Sequence, residues 1–132
     1  MRIMVDTNVL ISIAVFNSSK LGALLDYICL HHTLVLPSYV LEEFEGVVKR
    51  KFPDKTTSVS KFLLKLPFET EYTPHELPEH NLFTISDKDD EPILYSAITA
   101  DVDILISGDS DFSEVEIERP EILTPAEFLE RY

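Results

Sequence analysis

Two short apolar runs, Ile3-Met4-Val5 near the start of the chain and Ile104-Leu105-Ile106 near its end, constrain the fold more than any other feature. Neither alternates apolar with polar residues, as a strand with one wet face does. Strands read this way when both of their faces are covered, which is the condition inside a parallel sheet sandwiched between helices. Each run leads directly into a polar turn: Asp6-Thr7-Asn8 after the first, Ser107-Gly108-Asp109-Ser110-Asp111 after the second. In open α/β sheets the ligand crevice lies outside the carboxyl ends of the strands. Two different strands therefore deliver carboxylates to one edge of the sheet.

The segments between fit the same architecture. Thr7 to Phe16 has helix-compatible apolar positions and is broken by Asn17-Ser18-Ser19. Leu21, Leu24, Leu25 and Ile28 repeat at helical spacing. Thr33 to Leu36 reads as a strand stopped by Pro37, after which Ser38 is expected to cap a helix running to about Phe52. A basic helix is expected over Thr56 to Leu66, and a loop with at most one strand over Pro67 to Ser86, which holds three prolines. Asp87 to Ala100 reads as a helix with Pro92 in its first turn, where a missing N–H costs little. Asp103 to Ser107 and Glu121 to Leu123 are the last strands, and Thr124-Pro125 opens a final helix. The whole, residues 1–132, is expected to be one α/β domain with a mostly parallel sheet.

Net charge is −13, a balance that by itself opposes a nucleic-acid partner. The distribution qualifies it. Six of the eleven bases, Lys49, Arg50, Lys51, Lys55, Lys61 and Lys65, fall within seventeen residues, while fourteen of the 24 acids lie between Asp87 and Glu130. One region can meet a polyanion and the other a metal. A single cysteine, Cys29, allows no internal bridge and is expected to be a buried small apolar residue. No apolar run approaches a membrane span, and Asp6 interrupts any secretory signal, so a cytoplasmic location is expected. His31 and His32 are expected at a helix end, where a cation is welcome.

Helical geometry selects among the acids. Asp90 shares a face with Ile93, Leu94, Ala97 and Ile98 and is aimed inward, where it can also cap its helix. In the helix after Ser38 the apolar face is Val40, Leu41, Phe44, Val47 and Val48; Glu42 lies opposite it, and Glu43 and Glu45 flank it on opposite sides, a tie that periodicity does not break. Carboxylates gathered at a sheet edge repel one another unless a cation sits among them. With no histidine near these motifs and no cysteine pair, all-oxygen ligation favours a hard ion, Mg²⁺ or Mn²⁺. Such ions commonly serve phosphate-ester chemistry.

Four stretches together resemble the PIN-domain family of ribonucleases, which includes VapC-like toxins of toxin–antitoxin pairs: Val5-Asp6-Thr7-Asn8-Val9-Leu10, Pro37 to Arg50, Asp87-Lys88-Asp89-Asp90-Glu91-Pro92-Ile93-Leu94 and Ser107-Gly108-Asp109-Ser110-Asp111-Phe112. The resemblance implies a three-layer α/β/α sandwich with a central, mostly parallel sheet. It implies a metal-dependent endoribonuclease holding one or two Mg²⁺ or Mn²⁺ ions on Asp6, Glu43, Asp90 and Asp109, with Asp111 as a further ligand. Placement of the second acid just before an apolar residue breaks the tie toward Glu43. Asn8 is expected to orient Asp6, and the Ser107 hydroxyl to serve the site from behind the ligands. Lys49, Arg50 and Lys51 are the expected RNA contacts. An antitoxin whose basic side chain enters the acidic pocket and a homodimer are the partners the family implies, with no membrane. A housekeeping RNA-processing nuclease and a non-catalytic PIN-like binding module are the alternatives. Receiver domains and haloacid-dehalogenase-like phosphatases share the fold class, but the strand before Pro37 ends without the Asp the first requires, and position 8 is Asn rather than the Asp the second requires.

Overall fold

The computed structural model describes residues 1–72, 91–108, 117 and 119–132. Among these residues Arg2–Val5 forms β1, Thr33–Val35 β2, Ile104–Ile106 β3 and Glu121–Leu123 β4, and the four pair in parallel in the order β2-β1-β3-β4. Register places Ile3 beside both Leu34 and Ile104, and Val5 beside Ile106. Ile3, Met4 and Val5 are consecutive and all fully buried, so both faces of β1 are covered, as the lack of alternation requires.

The helices that cover those faces are α1 (Thr7–Ala14), α2 (Ser19–His31), α3 (Ser38–Lys51), α4 (Thr56–Lys65), α5 (Glu91–Thr99) and α6 (Pro125–Arg131). Helix α2 packs on β2 and α6, and α6 on β4; α3 packs against α1, α4 and α5. The architecture is the expected three-layer α/β/α arrangement with a parallel sheet. The buried face of α3 is Val40, Phe44 and Val48, with Leu41 and Val47 half-buried, as its periodicity requires. Helix α5 buries Ile93, Leu94 and Ala97 on one side. Asp90, the acid expected to share that face, lies outside the described residues, as do Asp109 and Asp111.

Local chemistry sets the helix ends, with two departures from expectation. Helix α1 stops at Ala14 rather than Phe16, because Asn17 takes a left-handed φ of 53° that ends the helical path. The N-cap of α3 is Pro37 rather than Ser38. Ser38 is already helical, and its backbone N–H donates to the Glu71 carbonyl at 2.8 Å instead of being left for a cap to organise. Residues 69–71 run along the outer edge of β2, through Leu36 N–H to Glu69 O and Glu69 N–H to Leu34 O, both 2.9 Å. Cys29 is half-buried rather than buried, because the face of α2 that carries it borders a surface groove shared with Phe62 and Leu66. Its thiol is pushed upward from the ordinary cysteine range by burial first and by the Asp26 charge second, which keeps it protonated. At the start of α6, by contrast, the expected opening holds: Thr124 and Glu127 form a reciprocal capping box, each bond 3.1 Å.

His31 is the last residue of α2 and His32 its C-cap. His32 does not behave as the expected helix-end cation. Burial, then the positive amino terminus and His31, hold its pKa below the ordinary histidine value and favour the neutral ring.

The amino end of the sheet is closed by ion pairs. Arg2 reaches Glu69 at 2.5 Å and Glu71 at 3.7 Å, and its guanidinium donates twice to the Ala100 carbonyl. Asp103, entering β3, accepts from the Arg2 backbone N–H at 2.8 Å and from Arg119 Nη2 at 2.7 Å. These donors hold its carboxyl below the usual carboxylate range, the Arg2 N–H contributing most.

Candidate functional site

The chain leaves β1 toward β2 on one side and leaves β3 toward β4 on the other, so the gap between the carboxyl ends of β1 and β3 is the topological switch point. Asp6 and Ser107 are the residues that follow these two strands. They are brought into register because Asp6 N–H bonds Ile106 O at 3.1 Å and Ser107 N–H bonds Leu123 O at 3.0 Å, each extending a ladder by one residue.

Asp6 is only 2% exposed, an unusual setting for a carboxylate. Its Oδ1 accepts from the Val9 backbone N–H at 3.2 Å, so it caps α1, and its Oδ2 accepts from the Ser107 hydroxyl. The cap and the site are thus one residue: the geometry that starts α1 also fixes the carboxylate at the switch point. Thr7 is buried beside it, and its Oγ1 has no hydrogen-bond partner among the described residues. An orphaned buried hydroxyl is costly and marks a place where a further polar species is accommodated.

A groove of about 670 Å³ opens next to this point, lined by Thr7, Asn8 and Ile11 from α1 and by Glu42, Glu43, Gly46, Val47, Arg50 and Lys51 from α3, with Phe16 and Phe52 closing its far end. Asn8 is exposed and faces it. The structure therefore separates Glu43 from Glu45. Glu43 is half-buried in the groove with the two residues that follow Asp6, whereas Glu45 is exposed elsewhere on α3. The Tyr39 hydroxyl, one helical turn before, donates to Glu43 Oε2 at 3.1 Å and holds the carboxylate in place. Tyr39 is a site residue that the motifs do not single out; its i, i+4 relation to Glu43 is the signal that could have found it. Glu42, expected to be solvated, is exposed at the groove margin. Of the expected RNA contacts, Arg50 and Lys51 line the groove, and Lys49 is exposed outside its lining.

Whether a hard cation suits this place follows from the donors. Asp6, Glu43 and the Thr7 hydroxyl are all oxygen donors, and the buried carboxylate and the orphaned hydroxyl sit on adjacent residues, so the set fits Mg²⁺ or Mn²⁺ rather than a softer ion. Among the described residues no three acids, histidines or cysteines gather as a metal cage. The remaining acids of the expected set, Asp90, Asp109 and Asp111, lie outside the described residues.

Comparison with known proteins follows the same outline. A family model described as "PIN domain" matches residues 2–111. A chain in the crystal structure of VapBC2 from Rickettsia felis, bound to a DNA fragment from their promoter, superposes with a TM-score of 0.68 at 21% identity, over 93% of this chain and 97% of that one. VapC20 from Mycobacterium tuberculosis, described as a toxin that cleaves the sarcin-ricin loop, gives a TM-score of 0.55 at 13% identity, over 84% and 92% of the two chains. No curated protein matches the sequence.

Proposed function

Because this chain belongs to the PIN-domain family, we propose that it is an endoribonuclease that depends on Mg²⁺ or Mn²⁺ and acts as the toxin of a type II toxin–antitoxin pair. The observation that carries the proposal is the setting of Asp6: a carboxylate buried at the switch point and held at both oxygens, followed directly by Thr7 and Asn8, which line a groove together with Glu43.

The chain's own groups divide the work. Asp6 and Glu43, completed by Asp90, Asp109 and Asp111, would hold one or two ions. When bound, such an ion neutralises charge on a scissile phosphate and makes water a stronger nucleophile. The Ser107 hydroxyl and the Val9 N–H fix the rotamer of Asp6, and the Tyr39 hydroxyl fixes that of Glu43, so neither acid must reorganise as a phosphodiester enters. Arg50 and Lys51 supply positive charge to the nucleic-acid backbone at the other end of the groove. Asn8, exposed on the groove wall, would orient the acid or contact the substrate.

The toxin role and the antitoxin partner draw support from the fold shared with VapC-type chains, one of which was crystallised in the VapBC2 assembly. An antitoxin basic side chain entering the groove at Glu43 would neutralise acids that would hold the ion, so inhibition and metal binding would compete. The reading is tested with the purified chain and an unstructured RNA. Cleavage should appear with millimolar Mn²⁺, vanish in EDTA and return on adding the metal back. Metal-independent cleavage, or none with either ion, overturns it.

A further inference from the structure

We propose that Phe16 is a base-stacking platform that positions an RNA substrate in the groove between α1 and α3, a reading that rests on the ribonuclease assignment. Phe16 is 65% exposed, although it follows an apolar helix that buries most of its other large side chains. Its ring is not loose. It meets the Phe52 ring edge-on, 87° between planes and 5.5 Å between centroids, so it is held upright while most of its surface faces solvent. Isolated exposed aromatics are common and need no explanation. This one stands at the end of a groove whose other members suit a nucleotide.

Along the α3 wall Glu43, Gly46, Val47 and Arg50 follow one another at helical spacing, leading from the candidate metal ligand to a cation. The helical path from Glu43 to Arg50 is about 10 Å long. Arg2, Arg119 and Arg131 all pair with acids, yet Arg50 and Lys51 form no ion pair among the described residues, despite the 24 acids of the chain. Gly46 lies midway. A Cβ there would meet nothing within 4 Å, so neither close packing nor backbone strain calls for glycine in the middle of this helix. What its missing side chain does provide is an open floor between the acid end and the cationic end. Upright aromatic, groove-lining cations and open floor match how single strands are held: phosphates on basic groups, a base on an aromatic face. Interior paired bases keep both faces stacked on their neighbours, so a duplex offers Phe16 at most its two terminal pairs.

The chain has no tryptophan, so Phe16→Trp installs a single indole at the proposed contact, whose emission is excited selectively beyond the tyrosine absorption band. Titration with a short oligouridylate in EDTA, where the metal chemistry is absent, should quench that emission, and a duplex of the same length should quench it far less. Phe16→Ala should weaken binding by about 5-fold to 150-fold, the range for loss of one base–aromatic stack, and Phe16→Tyr should restore it; thermal midpoints confirm that the variants fold. RNA that binds Phe16→Ala as tightly as wild type, and leaves the emission of Phe16→Trp unquenched, sinks the stacking proposal while leaving Mn²⁺-dependent cleavage, measured separately, intact. A chain that neither binds nor cuts RNA overturns both readings. Quenching by a protein partner but not by RNA would make the groove a protein-docking site instead and overturn the stacking proposal.

Discussion

The two ends of the sheet treat carboxylates in opposite ways. At the amino end Glu69, Glu71 and Asp103 meet Arg2 and Arg119 at the surface, and each charge has a counter-charge in reach of water. At the carboxyl end Asp6 is buried, and the bonds that position it come from a hydroxyl and a backbone amide. The first arrangement closes a sheet at small energetic gain, since exposed ion pairs contribute about 0–1 kcal/mol. The second holds a charge where holding it is costly. The proposed ion binding would account for a carboxylate, rather than an apolar residue or a Ser cap, at position 6.

That contrast yields an ordered set of tests. The largest effect belongs to Asp6→Asn, which keeps the shape and the Ser107 contact but removes the charge. RNA cleavage should fall by about 10²–10⁴-fold, the scale for removing a catalytic group, while circular dichroism and the thermal midpoint in EDTA stay close to wild type; unchanged cleavage rates would mean the carboxyl end is structural like its opposite. Next is the metal itself. Mn²⁺ at about a hundred times its Kd should stabilise the folded chain by about 2.7 kcal/mol, visible as a raised melting midpoint, and Asp6→Asn should erase the rise. Ser107→Ala should cost about 1.5–3 kcal/mol in denaturant melts, because a hydrogen bond to a buried charge is lost. Gly46→Ala should raise stability by about 1 kcal/mol through helix propensity while weakening RNA binding, so that a gain in both would remove the groove floor from the binding path.

Smallest is the amino end. Arg119→Ala should destabilise by under about 1 kcal/mol at neutral pH and leave cleavage untouched. Its signature is in acid. Asp103 titrates lower in the folded chain than its ordinary value of 3.8, so its contribution is complete above that value and fades as the pH falls through the lower, folded one. Asp103→Asn should therefore lower stability above about pH 4, where the contribution is complete, and flatten the acid limb of the stability–pH curve below it. His32 works in the same direction at higher pH. Its folded pKa is depressed below 6.5, so the folded chain gains fully above 6.5 and loses as the pH drops from there toward the folded value.

Much of this was legible from residue order. Ile3-Met4-Val5 and Ile104-Leu105-Ile106 announce buried parallel strands, and a polar residue directly after each marks the switch-point crevice, because burial on both faces and strand ends are local properties of the sequence. The choice between Glu43 and Glu45 was not local. Both flank the same apolar stripe, and only the packing of α1 against α3, which no periodicity encodes, puts one beside Asn8 and the other away from it. The same packing explains why Lys49 parts company with Arg50 and Lys51: neighbours in sequence point to different sides of a helix. Phe16 was absorbed into the first helix because its apolar character continues the pattern; Asn17, which ends that helix, was the cue that it stands outside.

The hydroxyl that positions Asp6 arrives from a residue 101 places later in the chain. Translation delivers the acid early and its holder late. A growing polypeptide that has not yet paired β3 with β1 therefore carries every residue of the first motif without the hydroxyl that sets its acid.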